Sequence, residues 1–286
     1  MSRTVALVTD STAMLPDEIV AQRDIVVVPL QVVIGAKSYR EGVDPEATPE
    51  TIAEALRAST PVSTSRPTPA MFLEVYEQAN AAGAEQVLSI HLSGEMSGTF
   101  DSARLAAREA SLPVRAVDSR QLGMAFGYSV LTAADVLADG GSCEEAAGAA
   151  LARADGTTSL FYVDTLEHLR RGGRIGPAAA LLGSALAVKP LLEIVDGRIG
   201  TREKVRTTGR ALSRLEELAV TAAGDRQVDV TVAHLAGRER ALVIAGNLER
   251  RLTANLSDRH VAVGQVGAVI GAHVGPGMVA VVVSPR

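Results

Sequence analysis

Val87-Leu88-Ser89-Ile90-His91-Leu92 runs directly into Ser93-Gly94-Glu95-Met96-Ser97-Gly98-Thr99. A short, mostly aliphatic run bounded by turn residues reads as a buried strand. The hydroxyls and glycines after it form a loop, and Ser97-Gly98-Thr99 opens a helix to about residue 110. In such a strand–loop–helix unit the loop hydroxyls and free amides converge at the positive end of the helix dipole, a place that suits an anion. The spacing differs from the Gly-x-Ser-x-Gly of a hydrolase elbow, so neither serine stands where a nucleophile would. An ordinary capped turn is the plain alternative.

Outward from this junction the same alternation continues. Strands are predicted at 5–9, 87–92 and 114–117, with 25–34 strand-like but interrupted by Pro29. Helices are predicted from Pro16, with Asp17 and Glu18 in its favourable first turn, from Thr48-Pro49-Glu50, and from Thr68-Pro69. In the last of these Phe72, Val75, Tyr76 and Ala79 fall at helical spacing and Gly83 provides the stop. Two Ala-rich helices, 123–138 and 143–153, flank Asp139-Gly140-Gly141. Past Ala154-Asp155-Gly156 the character changes. A strand at 159–163 precedes a hairpin, 190–195 and 199–205, turning at Asp196-Gly197. Helices at 208–223 and 237–255 flank a strand at 228–234. The uncharged stretch 261–285 is long enough to span a bilayer, but its valines and glycines read as two buried strands joined by a glycine-rich loop.

The expected fold class is therefore α/β, with two dissimilar α/β domains and a ligand between them. Residues 1–155 form the first, with a mainly parallel sheet, and residues 156–286 the second, with a mixed or antiparallel sheet.

Composition narrows the function. The 286 residues hold 28 Lys plus Arg against 33 Asp plus Glu, a net charge of −5. With no Trp, four Phe and four Tyr, the chain lacks both the basic footprint and the stacking platforms of a nucleic-acid binder. Cys143 is alone, so an internal disulfide and a thiolate metal cluster are excluded. The apolar run before Asp10 is too short for a signal peptide, and a cytoplasmic location is expected. No P-loop occurs, and Gly275-Pro276-Gly277 precedes a strand rather than a helix, so no nucleotide cofactor is expected.

Several residue groups have two readings. Asp10, Asp118 and Asp164 follow strands and precede hydroxyls; they suit either Mg²⁺ or helix capping, and capping is the simpler. Ser63-Thr64-Ser65-Arg66 places hydroxyls ahead of a helix, more than one N-cap needs. His273, in a glycine-rich loop, is a structural group or an oxyanion partner. Arg170-Arg171-Gly172-Gly173-Arg174 is a solvated helix end or a phosphate or acidic-partner contact.

Taken together, Val-Thr-Asp-Ser-Thr at 8–12, Thr-Ser-Arg-Pro-Thr at 64–68, Ile-His-Leu-Ser-Gly-Glu-Met-Ser-Gly-Thr at 90–99, Val-Asp-Ser at 117–119, Leu-Arg-Arg-Gly-Gly-Arg-Ile at 169–175, Lys-Pro-Leu-Leu at 189–192, Lys-Val-Arg at 204–206 and His-Val-Gly-Pro-Gly at 273–277 occur in one order along the chain. In this the sequence resembles the DegV family, the bacterial fatty-acid-binding proteins also called FakB. The resemblance implies two α/β domains enclosing a long-chain fatty acid, with its carboxylate held by Thr64, Ser93 and His273. It further implies a separate ATP-dependent fatty acid kinase as partner, making an acyl phosphate for phospholipid synthesis, with Arg170, Arg171, Arg174 and Arg202 as partner or phosphate contacts. The protein itself would then be no enzyme and hold no cofactor or metal. Arg66 and Gly94 depart from the residues common in that family, Gln and Ser. The uncharged segment 177–188 is expected to be a helix walling the acyl tail. The competing expectations are a serine-dependent hydrolase using Ser93 or Ser97 with His273 and a strand-end aspartate, and a lipid-sensing regulatory domain.

Overall fold

In the first half, strand and helix alternate as β1 (Val5–Asp10), α1 (Asp17–Gln22), β2 (Ile25–Val28), β3 (Gln31–Ile34), β4 (Lys37–Arg40), α2 (Pro49–Arg57) and β5 (Val62–Ser65). They continue through α3 (Pro69–Ala81), β6 (Gln86–His91), α4 (Thr99–Ala107), β7 (Val114–Asp118), α5 (Met124–Ala138) and α6 (Cys143–Gly156). The second half runs β8 (Thr158–Tyr162), α7 (Glu167–Arg171), β9 (Lys189–Val195), β10 (Arg198–Val205), α8 (Thr208–Ala223) and β11 (Val228–His234). It ends with α9 (Arg238–Arg251), α10 (Thr253–Leu256), β12 (Ala262–Gln265), α11 (Ala268–Val274) and β13 (Val279–Pro285). This computed structural model describes residues 4–176 and 189–286; the helix expected at 177–188 lies outside the described residues.

The first sheet has the order β2-β1-β6-β7, all parallel. Strand alternation gives it two buried faces, as a parallel sheet requires. Leu7, Leu88 and Ile90 pack on Phe126, Val130 and Ala147 of α5 and α6. Val8, Val28 and Val87 pack on Phe72, Tyr76 and Ala103 of α3 and α4. The second sheet, β10-β9-β8-β13-β11-β12, is mixed: β11 and β12 are parallel and the other pairs antiparallel. One of its faces is covered by α8 and α9, through Leu215, Leu218, Ile244 and Leu248. The other face, with Phe161, Ala233 and Ala280, meets α11 and the loops of the first unit, including Met14 and Leu122. The dissimilar pair of α/β units is thus present, and no helix among the described residues is long and apolar enough to cross a membrane.

Three local readings need correction. Pro29 does more than interrupt a strand: residues 25–28 and 31–34 belong to different sheets, the second being the antiparallel β4-β3-β5. Proline has no amide for a ladder, so the chain changes sheets there. The hydroxyl run at 62–65 is strand β5 rather than a loop. Most consequential, 261–285 contains the buried helix α11 between its two strands, so His273 sits in a helix's last turn. Valines disfavour that helix, but tertiary contacts override propensity: Val269 and Ala272 enter a core with Leu30, Val32 and Ile52. Its start is capped from far away, the Val269 amide donating to Glu41 Oε1 at 2.8 Å. A side chain at position 267 would collide with that carboxylate, its Cβ 2.3 Å from Oε1. Burial pushes the Glu41 carboxyl up from its ordinary value.

Candidate functional site

In the first sheet the strand order reverses between β1 and β6, and an open α/β sheet forms its crevice at such a switch, at the carboxyl ends of the strands. Asp10 ends β1 and is consumed by the architecture. It accepts from the Thr12 amide (3.1 Å), the Thr12 hydroxyl (2.6 Å) and the Leu92 amide (3.1 Å), with His91 Nδ1 at 3.0 Å. His91 Nε2 lies 2.7 Å from Ser89 Oγ, to which Tyr76 donates at 2.9 Å. Asp118 accepts from the Gly94 and Arg120 amides, and Asp164 from the Tyr162 hydroxyl. Asp10 and Asp118 therefore serve turns and caps, while Asp164 takes the Tyr162 hydroxyl and lies 3.4 Å from Arg240. No group of three or more His, Cys, Asp or Glu able to hold a metal occurs among the described residues.

The crevice opens into a chamber of about 280 Å³ whose largely apolar wall carries the polar groups of Thr64, Arg66, Ser97, Arg174 and His273. Thr64 reaches it from β5 and His273 from α11; though 209 positions apart, Thr64 Oγ1 and His273 Nε2 lie 2.8 Å from each other. Burial first, and then the Arg174 guanidinium, hold the His273 imidazole well below its ordinary value, at about 4. It is therefore neutral at neutral pH, and its Nδ1 is buried without a partner among the described residues. Gly172 makes this placement possible: a Cβ there would lie 2.1 Å from His273 Nδ1. The positive charge at the chamber comes instead from Arg66 and Arg174. Arg66 lies across Gly98, where a Cβ would fall 1.8 Å from its guanidinium. Arg174 donates to the Met96 and Gly172 carbonyls, at 3.0 and 2.6 Å.

The chamber shares Leu122, Ile199, Ile270 and Val274 with a second, apolar hollow of about 50 Å³. That hollow lies between Met124 at the start of α5 and the face of the second sheet presenting Phe161 and Ala280. The two together form a mouth bearing polar groups, continued by an apolar slot between the units, a shape for an amphiphile with a charged end.

Of the residues singled out from the sequence, Thr64, Arg66, Ser97, Arg174 and His273 line the chamber, whereas Ser93, Arg170, Arg171 and Arg202 do not. Ser93 is fully buried and donates to the Gly197 carbonyl at 2.7 Å, tying its loop to the β9–β10 turn. The same loop presents Ser97 to the chamber in its place. The reason is geometric: position 93 still follows the strand inward, whereas Ser97 stands just before the Gly98 N-cap of α4, its Oγ accepting from the Thr99 amide at 3.3 Å. Arg170 and Arg171 pair with Glu167, and Arg202 lies 3.4 Å from Glu193; none of the three lines the chamber. Among the described residues no serine hydroxyl bonds His273, and Ser89, His91 and Asp10, which do align, are at 0% exposure. Thr12 and Leu122 are site residues that sequence reasoning missed, and Ser97 was named there only as a rival nucleophile. The signal for Ser97 was its position as a hydroxyl opening a helix; for Thr12 and Leu122 only the fold supplies one.

The DegV family model, described as an uncharacterised protein family, matches residues 4–286. A DegV domain-containing protein of Streptomyces coelicolor is 52% identical over 286 residues, 100% of each chain. One from Deinococcus radiodurans is 39% identical over 98% of each. Among solved structures, a DegV family protein from Thermus thermophilus, described for its fatty acid binding, superposes with a TM-score of 0.91 at 32% identity over 99% of each chain. DegV, a fatty acid binding protein from Bacillus subtilis, gives 0.89 at 32% identity over 99% of each.

Proposed function

Because the chain belongs to the DegV family, we propose that it is a cytoplasmic carrier that binds one long-chain fatty acid and presents its carboxylate to a separate ATP-dependent fatty acid kinase. The single observation behind this reading is the join between the Thr64–His273 chamber and the apolar hollow through Leu122, Ile199, Ile270 and Val274. A carboxylate in the chamber accepts from the Thr64 and Ser97 hydroxyls, the neutral imidazole donating its Nε2–H to Thr64 Oγ1 and so freeing that hydroxyl's proton for the ligand, while Arg66 and Arg174 balance its charge. The tail supplies most of the affinity: about 14 methylenes at ~0.8 kcal/mol each give roughly 11 kcal/mol gross, before ordering costs. Each hydrogen bond to the carboxylate adds about 1.5–3 kcal/mol and fixes which oxygen faces out. With the nucleophilic atom belonging to the ligand, the protein binds and orients and leaves phosphoryl transfer to the partner.

Mass spectrometry of small molecules released on denaturing the purified protein tests the first half. One fatty acid per chain is expected, and a preparation that neither contains nor takes up any fatty acid overturns the reading. For the second half, the loaded protein is mixed with ATP and a fatty acid kinase, and acyl phosphate is trapped with hydroxylamine. Hydroxamate is expected, and it falls in Arg66→Ala and Arg174→Ala more than lipid content does.

A further inference from the structure

We propose that the cleft at the carboxyl edge of β11 and β12 is a second binding site, for a phosphate monoester of a hydroxyl-bearing compound, separate from the chamber of Thr64 and His273. The cleft is open and measures about 940 Å³. β11 and β12 are the parallel pair of the second sheet, with His234 opposite Gln265, and the 14-residue helix α9 connects them. A strand–helix–strand unit of this kind brings the helix N-terminus to the carboxyl edge of its strands, the placement that receives phosphate in α/β proteins. Gly237 gives α9 no side-chain cap, and the first helical bond is Ala241 to the Gly237 carbonyl. The amides of residues 238–240 thus have no acceptor among the described residues.

His234, at the end of β11, supplies the independent observation. It is 6% exposed, lines the cleft, and its Nδ1 has no hydrogen-bond partner among the described residues. A buried imidazole nitrogen without a partner, in a side chain that lines a cleft, is a group whose missing bond a ligand reaching the ring would complete. The charges agree. Arg238 and Arg240 stand in the first turn of α9, where the dipole disfavours cations unless an anion joins them. Arg57 of α2 lines the same cleft, and neither it nor Arg238 has an ion-pair partner among the described residues, whereas Arg240 lies 3.4 Å from Asp164. Glu50, Asp164 and Glu239 line it too. Carboxylates beside arginines suit a ligand with a phosphate at one end and hydroxyls at the other, since guanidinium forks match phosphate and carboxylates accept from hydroxyls.

Calorimetry with three probes, inorganic phosphate, glycerol 3-phosphate and adenosine 5′-monophosphate, tests this on the full chain. At least one monoester is expected to bind saturably at about 1 mM or tighter, and more tightly than inorganic phosphate. Whether glycerol 3-phosphate or the nucleotide wins identifies the source of the phosphate. The exposed pair Arg57→Ala/Arg238→Ala is expected to weaken it at least about tenfold, the effect of roughly one charge-assisted hydrogen bond. Fatty-acid content should be unchanged in that variant, which separates a failure here from a failure of the lipid reading. Absence of saturable binding by either monoester, equal affinity for inorganic phosphate, or indifference to the double substitution overturns the proposal.

Discussion

His91 at the end of β6 and His273 in the last turn of α11 are both drawn inward, yet they do opposite work. His91 is at 0% exposure with Asp10 on one ring nitrogen and Ser89 on the other, and its ring meets Phe72 edge-on at 4.9 Å. His273 has Thr64 on one nitrogen, nothing on the other among the described residues, and a chamber at its side. A buried polar group with every bond closed belongs to the scaffold; one with a bond left open beside a cavity belongs to a ligand. Residue type does not separate the two, and nor does proximity to a serine, since the better Ser–His–Asp alignment is the sealed one.

Breaking that contrast gives the largest expected effect. His91→Ala should destabilise the fold by about 3–5 kcal/mol, because it opens a hole beside Phe72 and takes one buried hydrogen-bond partner from each of Asp10 and Ser89. His273→Ala should change stability by less than about 1 kcal/mol, since it removes a group already half unsatisfied, while lipid content falls. Urea unfolding of both, with mass spectrometry of bound lipid, checks this; equal destabilisation would erase the distinction between scaffold and site.

The next effect lies in the slot. Ala233→Leu fills the apolar hollow, whose wall Ala233 forms at 4% exposure. Overpacking costs about 1–3 kcal/mol of stability, and fatty-acid affinity should drop at least about tenfold, the equivalent of two buried methylenes. Unaltered affinity by fluorescent fatty-acid displacement would move the tail elsewhere.

Much of this was legible in the residues, and what was not has physical causes. The alternation of short aliphatic runs with capped helices marks the α/β class, because period and caps are local. Thr64 stands out through the family resemblance and an excess of hydroxyls ahead of a helix, and His273 as a lone histidine between apolar strands. Their 2.8 Å contact is not legible, since it depends on β5 pairing in a small sheet and on α11 being a helix at all. That helix is decided by burial and by Glu41, 228 positions from the amide it caps, information no local window contains. Ser93 and Ser97 looked interchangeable because spacing alone does not tell which way a loop hydroxyl points.

Thr64→Val sharpens the contrast on a smaller scale. The change keeps shape and removes only the hydroxyl, so His273 loses its partner and the carboxylate one donor. Affinity should fall about fivefold to tenfold, near one hydrogen bond, with stability altered by less than about 1 kcal/mol. Loss of stability without loss of affinity, by the same two measurements, would turn Thr64 into a scaffold residue like His91.

The smallest effect is a fraction of a proton. The His273 imidazole is held at about 4 rather than its ordinary 6.5, so the folded protein binds fewer protons than the unfolded chain between those values. Stability from this group is therefore complete above 6.5 and declines as pH falls toward 4. A carboxylate beside the ring reverses the shift, because an adjacent negative charge favours the imidazolium. Binding the ionised acid should then take up protons below pH 6.5, and affinity should rise as pH falls in that window. The uptake stays under one proton, so a one-unit drop in pH gains at most about 1.4 kcal/mol. Calorimetry in buffers of different ionisation enthalpy counts the protons, and His273→Gln should abolish the His273 share. Uptake that persists in His273→Gln would assign the proton to another group and leave Arg66 and Arg174 as the whole of the charge recognition.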